Sequence, residues 1–182
     1  AYLLAQLLSE GAGQYNSQDF KAALQQDAIK LSFYTTRDTF EIELTSLSAH
    51  RERAFELLGL ALSQPRFAAS AMDRAKRSAL SVMKRAQQRP TSIALMSMKE
   101  VAYKTHGYAH TSYGTEAGVT ALAATDLRDA LQRYLTIENS RFALSGNLTA
   151  EQFASLVNRY VRLPASYQPD VTLASAQIDR LG

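Results

Sequence analysis

Cysteine is missing altogether from these 182 residues, which removes disulfides, thiolate nucleophiles and cysteine-based metal sites at once. It leaves the compartment open, since an exported protein can also do without disulfides. Glycine and proline are sparse, at 8 and 4 residues, and no low-complexity tract occurs, which excludes a disordered or fibrous class. No apolar run approaches the roughly 18 residues needed to span a bilayer. The first residues lack a basic flank and read as amphipathic helix rather than secretory signal. That pattern opens without an N-cap, so the sequence is expected to begin mid-protein. A Gly-x-Ser-x-Gly nucleophile elbow is also missing, which argues against an independent serine hydrolase.

What is present suits one domain. A hydrophobic content of 46% supports a sizeable core at this length. Net charge is only +3, too mild to indicate nucleic acid by itself. One stretch is sharper: Arg66, Arg74, Lys76, Arg77, Lys84, Arg85 and Arg89 face a single acid, Asp73. A solvated helix face is the plain interpretation, with a docking surface for an acidic partner as the alternative. No aromatic platform or glycine-rich loop accompanies these charges, so no nucleic-acid partner is expected.

Hydrophobic periodicity lays out the elements. Residues 1–11 read as a helix closed by Gly11, and 17–27 as a second with Ser17 as N-cap. The period then changes to two. Ile29, Leu31 and Phe33, then Phe40, Ile42 and Leu44, alternate with polar residues, predicting a hairpin of 29–36 and 40–45 with one buried face. Helices are expected over 48–63 and 68–88, then beyond Pro90 through Ile93, Leu95, Met96, Val101 and Ala102, with methionines as core filler. A loop over 107–124, a helix from Thr125-Asp126 and a strand at 141–145 follow. Thr149 and Gln152 form a capping box opening the last helix. Residues 1–163 form one domain on this reading; 164–182 are a linker or tail with a weak strand at 171–173. The class is α+β, an antiparallel sheet covered by helices on one face.

His106 and His110 are four apart, a metal-ligating spacing on a helix, but Gly107 and Thr111-Ser112 favour a loop anchored by hydrogen bonds. His50 and Glu52 do not share a helix face, and His50 reads as exposed at a helix start.

The first helix, Ala1-Tyr2-Leu3-Leu4-Ala5-Gln6, resembles the helix that bears the inverted zinc motif His-x-x-Glu-His in the insulinase/pitrilysin peptidases. Tyr2 and Gln6 stand at the two histidines and Ala5 at the glutamate. Further motifs follow in order. Asp38 opens a hairpin strand, and Leu57-Leu58 lead through Leu62 to Pro65-x-Phe67. The run His106 to Thr115 is similar to the family's His-Pro-Tyr loop, with Gly107 in place of proline. Asp126-Leu127, Arg133-Tyr134-Leu135, Asn139 and Ser145-Gly146-Asn147 continue the match. The family's third ligand is a glutamate on the long helix, where the run from Leu80 to Arg85 holds no acid.

The resemblance implies a mitochondrial processing peptidase-like module that has lost all three ligands and the base. It implies no catalytic residue, no cofactor and no metal in this domain, Tyr2, Ala5 and Gln6 being degenerate positions. Zinc is expected only in a partner half, in the same chain or a separate subunit, and the two would enclose a peptide or unfolded protein. The family's sheet includes strands ahead of the zinc helix, so an incomplete sheet is expected here. The alternative is a purely structural subunit like the respiratory-chain core proteins. A bacterial host implies the periplasm; mitochondrial or cytoplasmic placement are the alternatives, with no membrane span.

Overall fold

The computed structural model describes residues 1–104 and 106–166. The weak strand read at 171–173 lies outside the described residues, as does most of the tail. The described end is tied to the body: Ile137 and Glu138 amides donate to the carbonyls of Pro164 and Ala165 at 2.9 and 3.3 Å.

Helix α1 (Tyr2–Leu7) stops earlier than the sequence pattern, which ran to Gly11. The cause lies in the turn that follows. Gly11 adopts φ +110°, and a Cβ there would stand 2.8 Å from the Tyr15 carbonyl oxygen. Only glycine fits that approach. The Gly11 carbonyl accepts from Arg66 N, and Gly13 N donates to Gln64 O, so the exits of α1 and the third helix are stitched together.

Helix α2 (Ser17–Gln26) is capped by Asn16, not by Ser17. Asn16 Oδ1 accepts from the Gln18 and Asp19 amides at 2.9 and 3.0 Å. Ser17 is the first helical residue, and its hydroxyl donates instead to Glu10. The hairpin forms as read. Strands β1 (Lys30–Thr35) and β2 (Phe40–Thr45) pair antiparallel, with Leu31 opposite Leu44 and Phe33 opposite Ile42. Their apolar face packs against the core but stays half-buried, because two strands are too narrow to be covered fully.

A single 3-10 turn (Ser48–His50) leads into α3 (Arg51–Ser63), followed by α4 (Ala69–Gln87). Pro90 takes the first position of α5 (Pro90–Tyr103), where its missing N–H costs nothing. The expectation of methionines as core filler holds for Met72 and fails on α5, which buries no residue: it packs on α4 and, at its C-terminal end, on the turn at 107–109, and its outward side stays exposed.

The span 107–124 is not all loop. It holds a 3-10 turn (Gly107–Ala109) and α6 (Glu116–Ala121), whose N-cap Thr115 accepts from Gly118 N at 3.1 Å. Thr115 was read as part of a motif, so its capping role was hidden. Helix α7 (Ala124–Tyr134) starts where expected, and α8 (Ala150–Tyr160) carries the Thr149/Gln152 capping box in both directions.

Residues 141–145 form no strand, correcting the sequence reading. A strand needs a neighbour, and among the described residues the sheet consists of β1 and β2 alone. The alternation is real, but Phe142 and Leu144 stay exposed.

The core is organised around α1. Leu3, Leu4, Leu7 and Leu8 meet Leu58 and Leu62 of α3, Met72, Ala75 and Ala79 of α4, Leu127 and Leu131 of α7, and Val157 of α8. Fully burying each leucine is worth roughly 1.5–3 kcal/mol, so this short helix is a principal source of stability. A second cluster, Phe20, Ile29, Ala54, Leu57 and Ala61, holds α2 and the hairpin to α3. The architecture is helix-rich α+β with a small antiparallel sheet.

Candidate functional site

Tyr2, Ala5 and Gln6, read from the sequence as degenerate motif positions, lie on α1, whose leucines are locked in the core and so fix its orientation. Ala5 is buried at 5% exposure. Its methyl group can neither bind an ion nor move a proton. Tyr2 and Gln6, one turn apart on the same face, are bonded to each other: Gln6 Nε2 donates to Tyr2 Oη at 2.7 Å. The Tyr2 ring meets Tyr113 edge-on, with centroids 4.8 Å apart. The space between α1 and the loop before α6 is therefore spanned by an aromatic pair.

On α4, Leu80 and Met83 pack against the same core cluster as Tyr2. Lys84 and Arg85 are exposed, and Arg85 donates to Ser81. A phenol already accepting a hydrogen bond, an amide already donating one, a methyl group and an aliphatic helix face do not fit zinc, which takes imidazole, thiolate or carboxylate. Among the described residues, no group of three or more His, Asp or Glu side chains is placed to share one ion.

The histidines take structural places. His106 sits in a loop, as its neighbours indicated, and its Nδ1 accepts from the Tyr108 amide at 3.2 Å. His110 follows the same 3-10 turn, its amide donating to Gly107 O. His50 is half-buried rather than open, with Nδ1 3.2 Å from an Asp27 oxygen at the end of α2.

Two polar constellations escaped the sequence reading. The first clasps the hairpin tip to the loop. Tyr108 Oη donates to Asp38 Oδ1 at 2.6 Å, Arg37 donates to the Tyr108 carbonyl at 3.0 Å, and the Arg37 guanidinium lies 5.6 Å from the Tyr108 ring centre. The hydrogen bond to the Asp38 carboxylate, with smaller help from burial, raises the Tyr108 phenol above its ordinary range. Asp38 and the loop were each singled out as motifs, and nothing in one sequence showed that they touch.

The second is centred on Glu10. Its carboxylate takes Lys21 at 2.9 Å, Arg74 at 2.7 Å and Ser17 at 2.9 Å, tying the α1 exit to α2 and α4. Burial pushes this carboxyl up, but the bonds from Lys21, Ser17 and Arg74 outweigh it and hold it below the usual glutamate range. Arg74 is thus spent on an internal contact, as is Lys76, which donates to the Thr120 carbonyl. A depression on α7, lined by Asp126, Asp129, Ala130, Arg133 and Tyr134, belongs to one helix face and includes none of Tyr2, Ala5 and Gln6.

The fold has close counterparts. An inactive domain of an M16 peptidase from Pseudomonas fluorescens superposes with a TM-score of 0.85 at 23% identity, over 98% of this chain and 42% of that one. The first half of the periplasmic protease PqqL from Escherichia coli gives 0.76 at 13% identity, over 96% of this chain and 39% of that one. Among sequences, a protein from Helicobacter pylori named non-peptidase homolog YmxG is 23% identical over 158 residues, 87% of this chain and 37% of that protein. The chain therefore spans less than half the length of these relatives. The model for the insulinase family, peptidase family M16, matches residues 1–116, from the degenerate helix through the clasped loop, and the chain belongs to that family.

Proposed function

We propose that this chain is a zinc-free, non-catalytic module of an M16-type peptidase, which helps enclose a peptide or unfolded protein substrate against a zinc-bearing half. The observation that carries it is the Tyr2–Gln6 hydrogen bond with Ala5 buried between them, facing a long helix that presents Leu80 and Met83 in place of an acid. Amide hydrolysis of this kind needs a metal-polarised water and a carboxylate base, and these positions supply neither. The zinc-bearing half is in the same natural chain or in a separate subunit. Similarity to an inactive M16 domain and to half of a larger protease supports this reading. The periplasmic relative supports the periplasm as compartment in a bacterial host. Residues 1–163 form the module, with 164–182 leading out of it.

Two measurements test it. Metal analysis of the natural protein half, purified without chelator, should find well under one equivalent of zinc; tight stoichiometric zinc would overturn the zinc-free claim. Mixing that half with its zinc-bearing counterpart should raise peptide cleavage, and chelator should abolish it. Cleavage by this half alone, insensitive to chelator, would refute the reading. A stable complex with no effect on cleavage would replace the chamber role with a purely structural one.

A further inference from the structure

Helix α5 leaves four large apolar side chains on the surface. Ile93, Leu95, Met98 and Val101 are 44%, 47%, 53% and 57% exposed within its 14 residues. Their spacing is organised. Ile93, Ser97 and Val101 are four apart, as are Ala94 and Met98, so all five share the face turned away from the protein. Met96, Lys99, Ala102 and Tyr103 are half-buried on the opposite side. The outward stripe is uncharged, with the small Ala94 and Ser97 at its centre. Monomeric proteins seldom leave such a patch bare.

The N-terminal end of the stripe is cationic, and Glu100 is the one exposed acid of α5, at its other end. No Asp or Glu occurs between Asp73 and Glu100. Lys84, Arg85 and Arg89 are exposed at the N-terminal end of the stripe, Arg89 one turn before Ile93. Arg77 lies two turns before Lys84 on α4 and is exposed as well. Arg77, Lys84 and Arg89 form no ion pair with any described residue.

We propose that the outward face of α5, with the cationic end of α4, docks an amphipathic helix of a partner protein whose apolar stripe is edged by carboxylates. The small residues at the centre of the stripe let a second helix approach closely, and Ile93, Met98 and Val101 provide ridges for its grooves. Carboxylates on the incoming helix meet Lys84, Arg85 and Arg89, which steers the encounter and sets its polarity. A second copy of this chain fits worse: with the two α5 helices antiparallel it offers Glu100 alone against Lys84, Arg85 and Arg89. A bilayer also fits worse: membrane-surface helices carry cations along a free polar face, whereas the face opposite this stripe packs on the protein. This surface does not depend on the chamber reading, and its failure would leave the zinc and cleavage assays untouched.

The probe is a fluorescent synthetic helix with a leucine stripe edged by glutamate, titrated into the natural full-length chain. The same helix edged by lysine, and vesicles of anionic phospholipid, run in parallel. The glutamate-edged helix should bind, and Met98→Asp should weaken it at least tenfold while circular dichroism stays unchanged. The double variant Lys84→Glu/Arg89→Glu, which touches no core residue, should shift preference toward the lysine-edged helix. Equal binding of the two helices, binding of neither, or binding of vesicles alone would overturn the proposal. So would self-association abolished by Met98→Asp.

Discussion

Gly59 is where α3 and α8 come closest, and its replacement by alanine tests how the last helix is held. A Cβ at this position would stand 2.9 Å from the Tyr160 carbonyl carbon and closer still to its oxygen. Ordinary carbon contacts are about 3.5–4.0 Å, so the last turn of α8 would have to withdraw by roughly 1 Å. That turn has little slack. Leu156, Val157 and Val161 are buried there, and Tyr160 Oη donates to Glu52 of α3 at 2.6 Å. Overpacking of this kind costs roughly 1–3 kcal/mol. Alanine returns about 1 kcal/mol through better helix propensity. The opposing backbone cannot swing aside like a side chain, so the clash wins.

Gly59→Ala is therefore expected to destabilise by up to about 2 kcal/mol, a fall in Tm of roughly 4–8 °C at that upper end for a chain of this size. Urea denaturation followed by circular dichroism measures it, with Gly107→Ala as control. Gly107 has no atom within 4 Å of its notional Cβ, so that change should stay within about 0.5 kcal/mol of the parent. A Gly59→Ala protein as stable as the parent, or more so, would refute the packing argument.

Other outcomes follow from the polar contacts. Thr149→Ala removes the hydroxyl that caps α8 and should cost about 1 kcal/mol in the same assay. Glu10→Gln should destabilise by about 1 kcal/mol at neutral pH, because Lys21 and Arg74 lose their shared carboxylate. Its carboxyl titrates lower folded than unfolded, so its contribution is present above the unfolded glutamate range and is lost as pH falls through the folded value. The parent and Glu10→Gln should thus converge in stability on acidification; a constant gap down to pH 2 would contradict the assignment. Tyr108→Phe should loosen the hairpin tip, read as faster amide exchange at residues 36–39. The raised Tyr108 phenol gives the opposite sign: the clasp holds below the ordinary tyrosine range and is lost as alkaline pH ionises the ring. Finally, Tyr2→His/Ala5→Glu/Gln6→His should yield no peptidase, since Leu80–Arg85 still lacks an acid; chelator-sensitive cleavage by this variant would show that another residue completes the site.

Where the sequence was legible, local chemistry decided the outcome. The period-two runs gave the hairpin and its buried face, since a one-residue slip would turn Leu31, Phe33 and Ile42 outward. The Thr149/Gln152 box marked a helix start that depends on adjacent residues alone. Errors came where a distant group decides. The run 141–145 alternates like a strand, yet a strand exists only with a neighbour. Ser17 is as good a cap as Asn16 in isolation, but Glu10 claims its hydroxyl. Helix α5 has the apolar content of a core helix, and periodicity alone cannot say whether anything lies across from it. The clasp between Asp38 and Tyr108 spans 70 residues and left no trace in either motif.

On the reading proposed above, the first helix shows how a member of the family can lose its chemistry and keep its fold. Two sets of residues share it. Leu3, Leu4 and Leu7, with Leu8 just beyond, face the core and hold α3, α4, α7 and α8 together. On the proposed reading, Tyr2, Ala5 and Gln6 stand at the positions the zinc motif would use. The core loses nothing when ligands disappear, because none of its leucines is a ligand. What must be solved is the hole and the stranded polarity that absent ligands leave, since a buried polar group without a partner costs several kcal/mol. Here Tyr2 fills space against Tyr113, Gln6 bonds to Tyr2, and Ala5 carries no polar atom in its side chain. The substitutions act together: Gln6→Ala alone should leave Tyr2 Oη short of a donor, whereas Tyr2→Phe/Gln6→Ala removes both ends of the bond. A double-mutant cycle on these two residues should therefore give a coupling of about 0.5–1.5 kcal/mol, the range of a single hydrogen bond. Strict additivity would mean that the hydrogen bond between Gln6 and Tyr2 contributes nothing to stability.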